Sequence, residues 1–207
     1  MIFIYNKHVG DVLMVIVADD QKQAVEVDKR ETVARIVRKA DGQTVAWNIF
    51  QVSELFPIEG NGQVFLSAEE LQTLNQRLTE LGFDEELVAD DQPKFVVGEI
   101  VELTAHPDSD HLNICQVKVS ADETVQIVAG APNVALGLKT IVALPGAMMP
   151  SGLLIFPGQL RGVDSYGMMC SPRELALPNA PQKRGIIELA ADTPVGQIFS
   201  PDKHWRL

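Results

Sequence analysis

Apolar positions follow two rhythms along this chain. The runs MIFIY and VLMVIVA are continuous enough for buried strands, whereas QAVEVD alternates as a half-exposed strand does. ETVARIVRKADGQTVAWNIF reads as two strands joined at Asp41-Gly42, a pair favoured in tight hairpins. A helical spacing follows, with Leu71, Leu74, Leu78 and Leu81 on one face. Ser67 with Glu70 three residues on makes a capping box, and Gly82 stands at the stop, so the spacing predicts a helix over 68–81.

From Phe95 the pattern shortens. FVVGEIVELTA, NICQVKV, TVQIVAG, KTIVAL, LLIFPGQL and RGIIELA are short runs rich in Val, Ile and Leu, cut by Gly, Pro and Asn. Gly98 inside the first run reads as a bulge or a sharp bend. Several short strands without helical crossovers point to a barrel or sandwich, and about 110 residues suits an OB-type barrel. The expected fold class is an α+β N-terminal domain followed by an all-β OB-fold barrel. Residues 1–88 form the acidic α+β domain, with no chemistry assembled in it. Residues 89–94, inside the polar stretch DEELVADDQPK, form a linker, and 95–207 form the barrel, ending in a mixed-charge tail.

Charge modifies this picture. The net charge of −11 argues against a general nucleic-acid binder, which must neutralise phosphates. The acid is uneven, however. Residues 1–93 carry 8 Lys/Arg against 17 Asp/Glu, while residues 94–207 carry 9 against 11. The second half can therefore still gather cations on one face. No apolar run is long enough for a membrane helix, and the first residues show no signal-peptide pattern, so a cytoplasmic protein is expected. Cys115 and Cys170 lie in apolar sequence without a CxxC pairing and read as two reduced thiols.

Candidate chemistry is confined to the second half. HPDSDHL places His106, Asp108, Asp110 and His111 close together, but one short loop supplies all of them. A turn whose side chains cap backbone amides is the simpler account, so no metal is expected. Ser165, Cys170 and Ser171 lack a nucleophile motif, and neither a Walker loop nor GxGxxG occurs, so no enzyme activity or cofactor is expected. GAPNV at 130–134 and LRGVDSYGMMCS at 160–171 are sharper features. Lys118, Lys139, Arg161 and Arg173 are the cations near these turns, placed to line a groove for a phosphate backbone.

Taken in order, HPDSDHL, GAPN, ALPGAMMPSG and LRGVDSYGMMCS resemble the tRNA-binding OB-fold domain family. That family includes a module at the N-terminus of the bacterial phenylalanyl-tRNA synthetase β chain. The whole chain looks like free-standing bacterial members that carry an uncharacterised domain ahead of the module. The resemblance implies a non-catalytic protein that reads folded tRNA by shape and backbone through its barrel. It points to Asn133, Arg161, Ser165, Met168 and Ser171 as the RNA-facing surface, with Lys118, Lys139 and Arg173 as phosphate contacts. It also admits an aminoacyl-tRNA synthetase or another protein as partner, and pairing of two chains as a homodimer. Exposed aromatics are few, which favours a structured RNA over sequence-neutral single-strand binding. Salt-sensitive binding through about three to five phosphates is expected. The alternative is a protein-interaction module with little RNA affinity, which the net acidity favours.

Overall fold

The computed structural model describes residues 1–205; Arg206 and Leu207, the end of the expected tail, lie outside the described residues. The chain divides into two compact units, Met1–Asp91 and Gln92–Leu207.

The first unit contains β1 (Ile2–Tyr5), β2 (Val12–Ile16), β3 (Val25–Arg30), β4 (Val33–Arg38), β5 (Thr44–Phe50) and β6 (Gly62–Val64). They form one antiparallel sheet in the order β3-β4-β5-β2-β1-β6. Alternate side chains point to opposite faces of a strand. Phe3, Tyr5, Leu13, Val15, Val33, Trp47 and Ile49 accordingly share the buried face. The helix α1 (Ala68–Glu80) seats Leu71, Leu74 and Leu78 in that core. The capping box is present: the Ser67 N–H donates to the Glu70 carboxylate at 2.7 Å, and the Glu70 N–H donates to Ser67 Oγ at 3.3 Å. Trp47 meets Phe83 edge-on, with centroids 5.0 Å apart. Burying these large side chains removes water from most of one sheet face, the main source of stability available to a unit this small.

One part of the α+β expectation needs adjusting. This unit is largely sheet, and its helical content is essentially the single element α1. The strand β6, too short and polar to show in the pattern, completes the far edge through its pairing with β1.

The second unit contains β7 (Phe95–Ala105), β8 (Asn113–Lys118), β9 (Thr124–Ala129), β10 (Lys139–Ala143), β11 (Gly158–Leu160), β12 (Val163–Ser165) and β13 (Met168–Met169), followed by the short helix α2 (Pro201–His204). Five of these strands form an antiparallel sheet in the order β13-β10-β7-β8-β9, curled like a barrel, while β11 and β12 make a separate hairpin. The interior is apolar, with Val97, Ile141, Ala143 and Cys170 in one cluster and Ile100, Cys115, Val117, Ile127 and Val142 in another.

Gly98 is not the bulge. A Cβ there would lie 2.6 Å from Val142 Cγ2 and 2.8 Å from Val117 Cγ1, so glycine is required by close packing. The irregularity in the β7–β8 register falls instead between Ile100 and Glu102. The run LLIFPGQL does not make one strand. Leu154 forms an isolated bridge to Met148, and only Gly158–Leu160 beyond Pro157 pairs regularly. RGIIELA lies extended and joins the barrel through single bonds, with Ile187 N–H to Cys170 O at 2.9 Å and Leu189 N–H to Lys139 O at 2.9 Å. No helix among the described residues is long and apolar enough to cross a membrane.

Candidate functional site

The short motifs of the second unit turn out to hold one another. His106 is buried, and its Nδ1 accepts the Asp108 N–H at 3.0 Å. That leaves the proton on Nε2, which reaches the Leu160 carbonyl at 3.2 Å. Arg161 returns the link, its Nη1 donating to the Asp108 carbonyl at 2.7 Å. The HPDSDHL loop and the β11–β12 hairpin are thus tied together at two points. Arg161 and Gly162 occupy the hairpin tip with φ of 47° and 81°, and Leu160 pairs with Val163. Positive φ at both central residues is the geometry of the tight hairpin turn that matches strand twist. Within the HPDSDHL loop, His111 Nδ1 lies 2.8 Å from Asp110, whose carboxyl is held below its ordinary pKa chiefly by this hydrogen bond.

The sheet edges β9 and β13 face each other across a seam. Two bonds close one end of it: the Tyr166 N–H to the Gln126 carbonyl at 2.8 Å, and the Val128 N–H to Ser165 Oγ at 3.1 Å. Gly167, with φ of 138°, passes where a Cβ would stand 2.8 Å from the Ala143 carbonyl. Past this pinch the edges separate. A groove of about 350 Å³ opens between β9 and the segment after Met168. The GAPN loop forms one wall, with Gly130, Ala131 and Pro132 lining it. Asn133 fixes that loop to the segment after Arg184: its amide nitrogen donates to the Ile186 carbonyl at 2.9 Å and to Glu188 at 2.8 Å, and its amide oxygen accepts the Ile186 N–H at 2.9 Å. On the other side, Ser171 and Glu174 cap a turn reciprocally. The Ser171 N–H donates to the Glu174 carboxylate at 2.7 Å, and the Glu174 N–H donates to Ser171 Oγ at 3.3 Å.

The expected site residues therefore fall into separate places. Met168, Ser171 and Arg173 line the groove. Asn133 braces its wall, Ser165 is buried in the seam, and Arg161 stands exposed at the hairpin tip. Lys118 is half-buried at the end of β8, opposite Glu99 and Thr124. Lys139 spends its ammonium on the Ala191 and Thr193 carbonyls, at 2.7 and 2.8 Å. Neither lysine lines the groove.

One groove cation escaped sequence reasoning. Arg184 is exposed, lines the groove, and makes one long bond to the Gly130 carbonyl at 3.3 Å. His111 of the HPDSDHL loop also lines the groove, near Gly130. The available signal for Arg184 was the Lys183-Arg184-Gly185 run directly after a Pro- and Asn-rich loop. Gly185, with φ of 147°, lets the chain pass within reach of Asn133, so Arg184 is delivered to the rim by backbone that only glycine adopts easily.

Arg161, Arg173 and Arg184 make no ion pair with a carboxylate among the described residues. The two thiols lie inside the barrel rather than in the groove. Burial pushes the Cys115 pKa up to about 11, and burial together with nearby Glu174 pushes Cys170 up to about 12, so neither is a nucleophile at neutral pH.

Residues 95–198 match the family described as "Putative tRNA binding domain", and residues 20–90 match "Domain of unknown function (DUF4479)". The Bacillus subtilis protein named "Putative tRNA-binding protein YtpR" is 44% identical over 196 residues, covering 94% of this chain and 97% of that one. The phenylalanine–tRNA ligase beta subunits of Ralstonia nicotianae and Rhodospirillum rubrum are each 47% identical over 59% and 58% of this chain, which spans 16% and 15% of their lengths. With half its length in the family's domain and a relative matched almost end to end, the chain belongs to the tRNA-binding domain family.

Proposed function

We propose that this protein binds tRNA without catalysis, using the groove of its second unit. The observation that carries the reading is the groove itself. It lies within the segment that matches the tRNA-binding family, and its rim arginines Arg173 and Arg184 hold no carboxylate partner among the described residues. Exposed guanidinium groups with spare donors suit phosphate, which they contact bidentately. Backbone contacts of this kind position an RNA and carry no sequence information, as shape recognition of a folded RNA requires.

We read the curled five-stranded sheet as an OB-type barrel, residues 89–94 as the linker before it, and the cytoplasm, where tRNA is found, as its location. In this reading Asn133, Ser165 and Ser171 shape the groove, while Arg161, Met168, Arg173 and Arg184 face the ligand. Lys118 and Lys139 add positive potential at longer range.

The test is a titration of the full chain with unfractionated tRNA across a salt series. Affinity should fall steeply, with a slope corresponding to about three to five phosphates. Absence of binding at low salt would overturn the proposal and turn attention to a protein partner.

A further inference from the structure

The groove is not built like a phosphate track alone. Its lining is mixed: the apolar side chains of Leu112, Ile127, Met168 and Ile186 form a floor beside polar groups, and Arg173 and Arg184 also line it. A duplex keeps its base faces stacked inside and offers only its backbone, so it would leave that floor empty. An unstacked nucleotide presents an apolar flat base and an anionic phosphate together. We infer that the groove receives one unpaired nucleotide of the RNA, its base over Met168 and its phosphates against Arg173 and Arg184.

Size and chemistry converge on this. A volume of about 350 Å³ is at the small end of pockets that enclose single small molecules. Glu174 also lines the groove, and its carboxylate already accepts the Ser171 N–H at 2.7 Å. An acceptor-only group opposes a phosphate but matches the amino edge of a base. It therefore suits the base edge rather than the phosphates, which the arginines take. The slot lies between the edges of β9 and β13, and their separation past the Ser165 closure is what makes room for a flat ring. The thioether of Met168 supplies the polarisable surface that an aromatic side chain provides in other single-strand sites.

The inference rests on the groove being the RNA contact, and the experiment separates the two. Labelled tRNA bound to the full chain is competed with a cytidine hexanucleotide and, separately, with a blunt RNA duplex of a dozen base pairs. The duplex carries more charge, so simple electrostatics favours it. The expected result is displacement by the hexanucleotide at a concentration about tenfold lower than by the duplex. Arg173→Ala and Arg184→Ala, both at exposed positions, should each weaken the hexanucleotide about fivefold to tenfold. Met168→Ala should weaken the hexanucleotide and leave the duplex unchanged. If the duplex competes equally well or better, or if the arginine variants bind the hexanucleotide unaltered, the inference is overturned while the tRNA reading stands. If labelled tRNA does not bind, the tRNA reading falls. Direct titration with labelled hexanucleotide then decides the inference, with binding that needs Arg184 upholding it and no binding overturning it.

Discussion

The two units use arginine in opposite ways. In the first, every arginine is matched to a carboxylate. Arg30 pairs with Asp28 at 2.8 Å, Arg35 with Glu85 at 2.7 Å, Arg38 with Asp41 at 2.6 Å, and Arg77 with Glu31 at 2.6 Å. Several also work as packing groups. Arg30 lies 4.1 Å over the Phe83 ring and caps the end of α1 through the Leu81 carbonyl at 3.0 Å. Arg38 is buried and binds the Asp19 carbonyl at 3.0 Å besides Asp41 and Gln43. In the second unit, Arg161, Arg173 and Arg184 are exposed, bonded at most to a backbone carbonyl. An arginine inside an ion pair has its donors filled and is fixed in one geometry. An exposed one retains both charge and donors for a ligand. The comparison teaches that net charge is a poor guide to polyanion binding here. A chain of net −11 keeps a cationic rim because the excess acid lies in the first unit, beside arginines that it neutralises.

The comparison can be broken most forcefully at the first unit's core. Trp47, 1% exposed, should cost about 3–5 kcal/mol when changed to alanine, read by urea denaturation. If the first unit's role is structural, that variant still binds tRNA at low urea. A parallel loss of affinity would assign RNA contact to the acidic unit. Within the second unit, Asn133→Ala removes three hydrogen bonds that brace the groove wall. It should destabilise by about 1–3 kcal/mol and weaken tRNA as a consequence. Unchanged stability with lost affinity would show Asn133 touching RNA directly.

The rim arginines come next. Each of Arg173→Ala and Arg184→Ala should lower tRNA affinity by about tenfold and reduce the salt slope by about one, with the melting temperature unmoved. Arg77→Ala in the first unit should leave affinity unaltered, and a matching loss there would abolish the contrast.

A smaller effect is expected in acid. Asp41 is held below its ordinary pKa of 3.8, chiefly by its hydrogen bond from Arg38. A carboxylate whose folded pKa lies below its unfolded one stabilises the fold above the unfolded value and loses that contribution as pH drops through the folded one. The stability of the first unit should therefore decline below about pH 3.8. Asp41→Asn should flatten that decline, as followed by circular dichroism. The least change is expected at the thiols. Cys115 and Cys170 should resist iodoacetamide at about pH 8 and react only after unfolding.

The hydrophobic rhythm alone determined the strands β1, β2, β4 and β5, the helix with its capping box, and the short strands β7 to β10. These features depend on alternation, helical spacing and local capping, all of which are written in neighbouring residues. The motifs that carry the family resemblance were also legible, because glycine and proline mark their turns. What those motifs do was not. His106 and Leu160 lie 54 positions apart, and Asn133 and Ile186 lie 53 apart; only the curled sheet brings them together. The same holds for the separation of duties among polar residues. Lys139 and Arg173 look alike as isolated cations, yet one is committed to two carbonyls and the other stands at a groove rim. Arg184 carried only the weak local signal of the Lys183-Arg184-Gly185 run, and its place is set by Gly185 and the Asn133 brace. Local sequence determined which segments fold and where they turn. Tertiary structure decided which charges remain available, because hydrogen-bond partners are assigned by contacts between residues far apart in the chain.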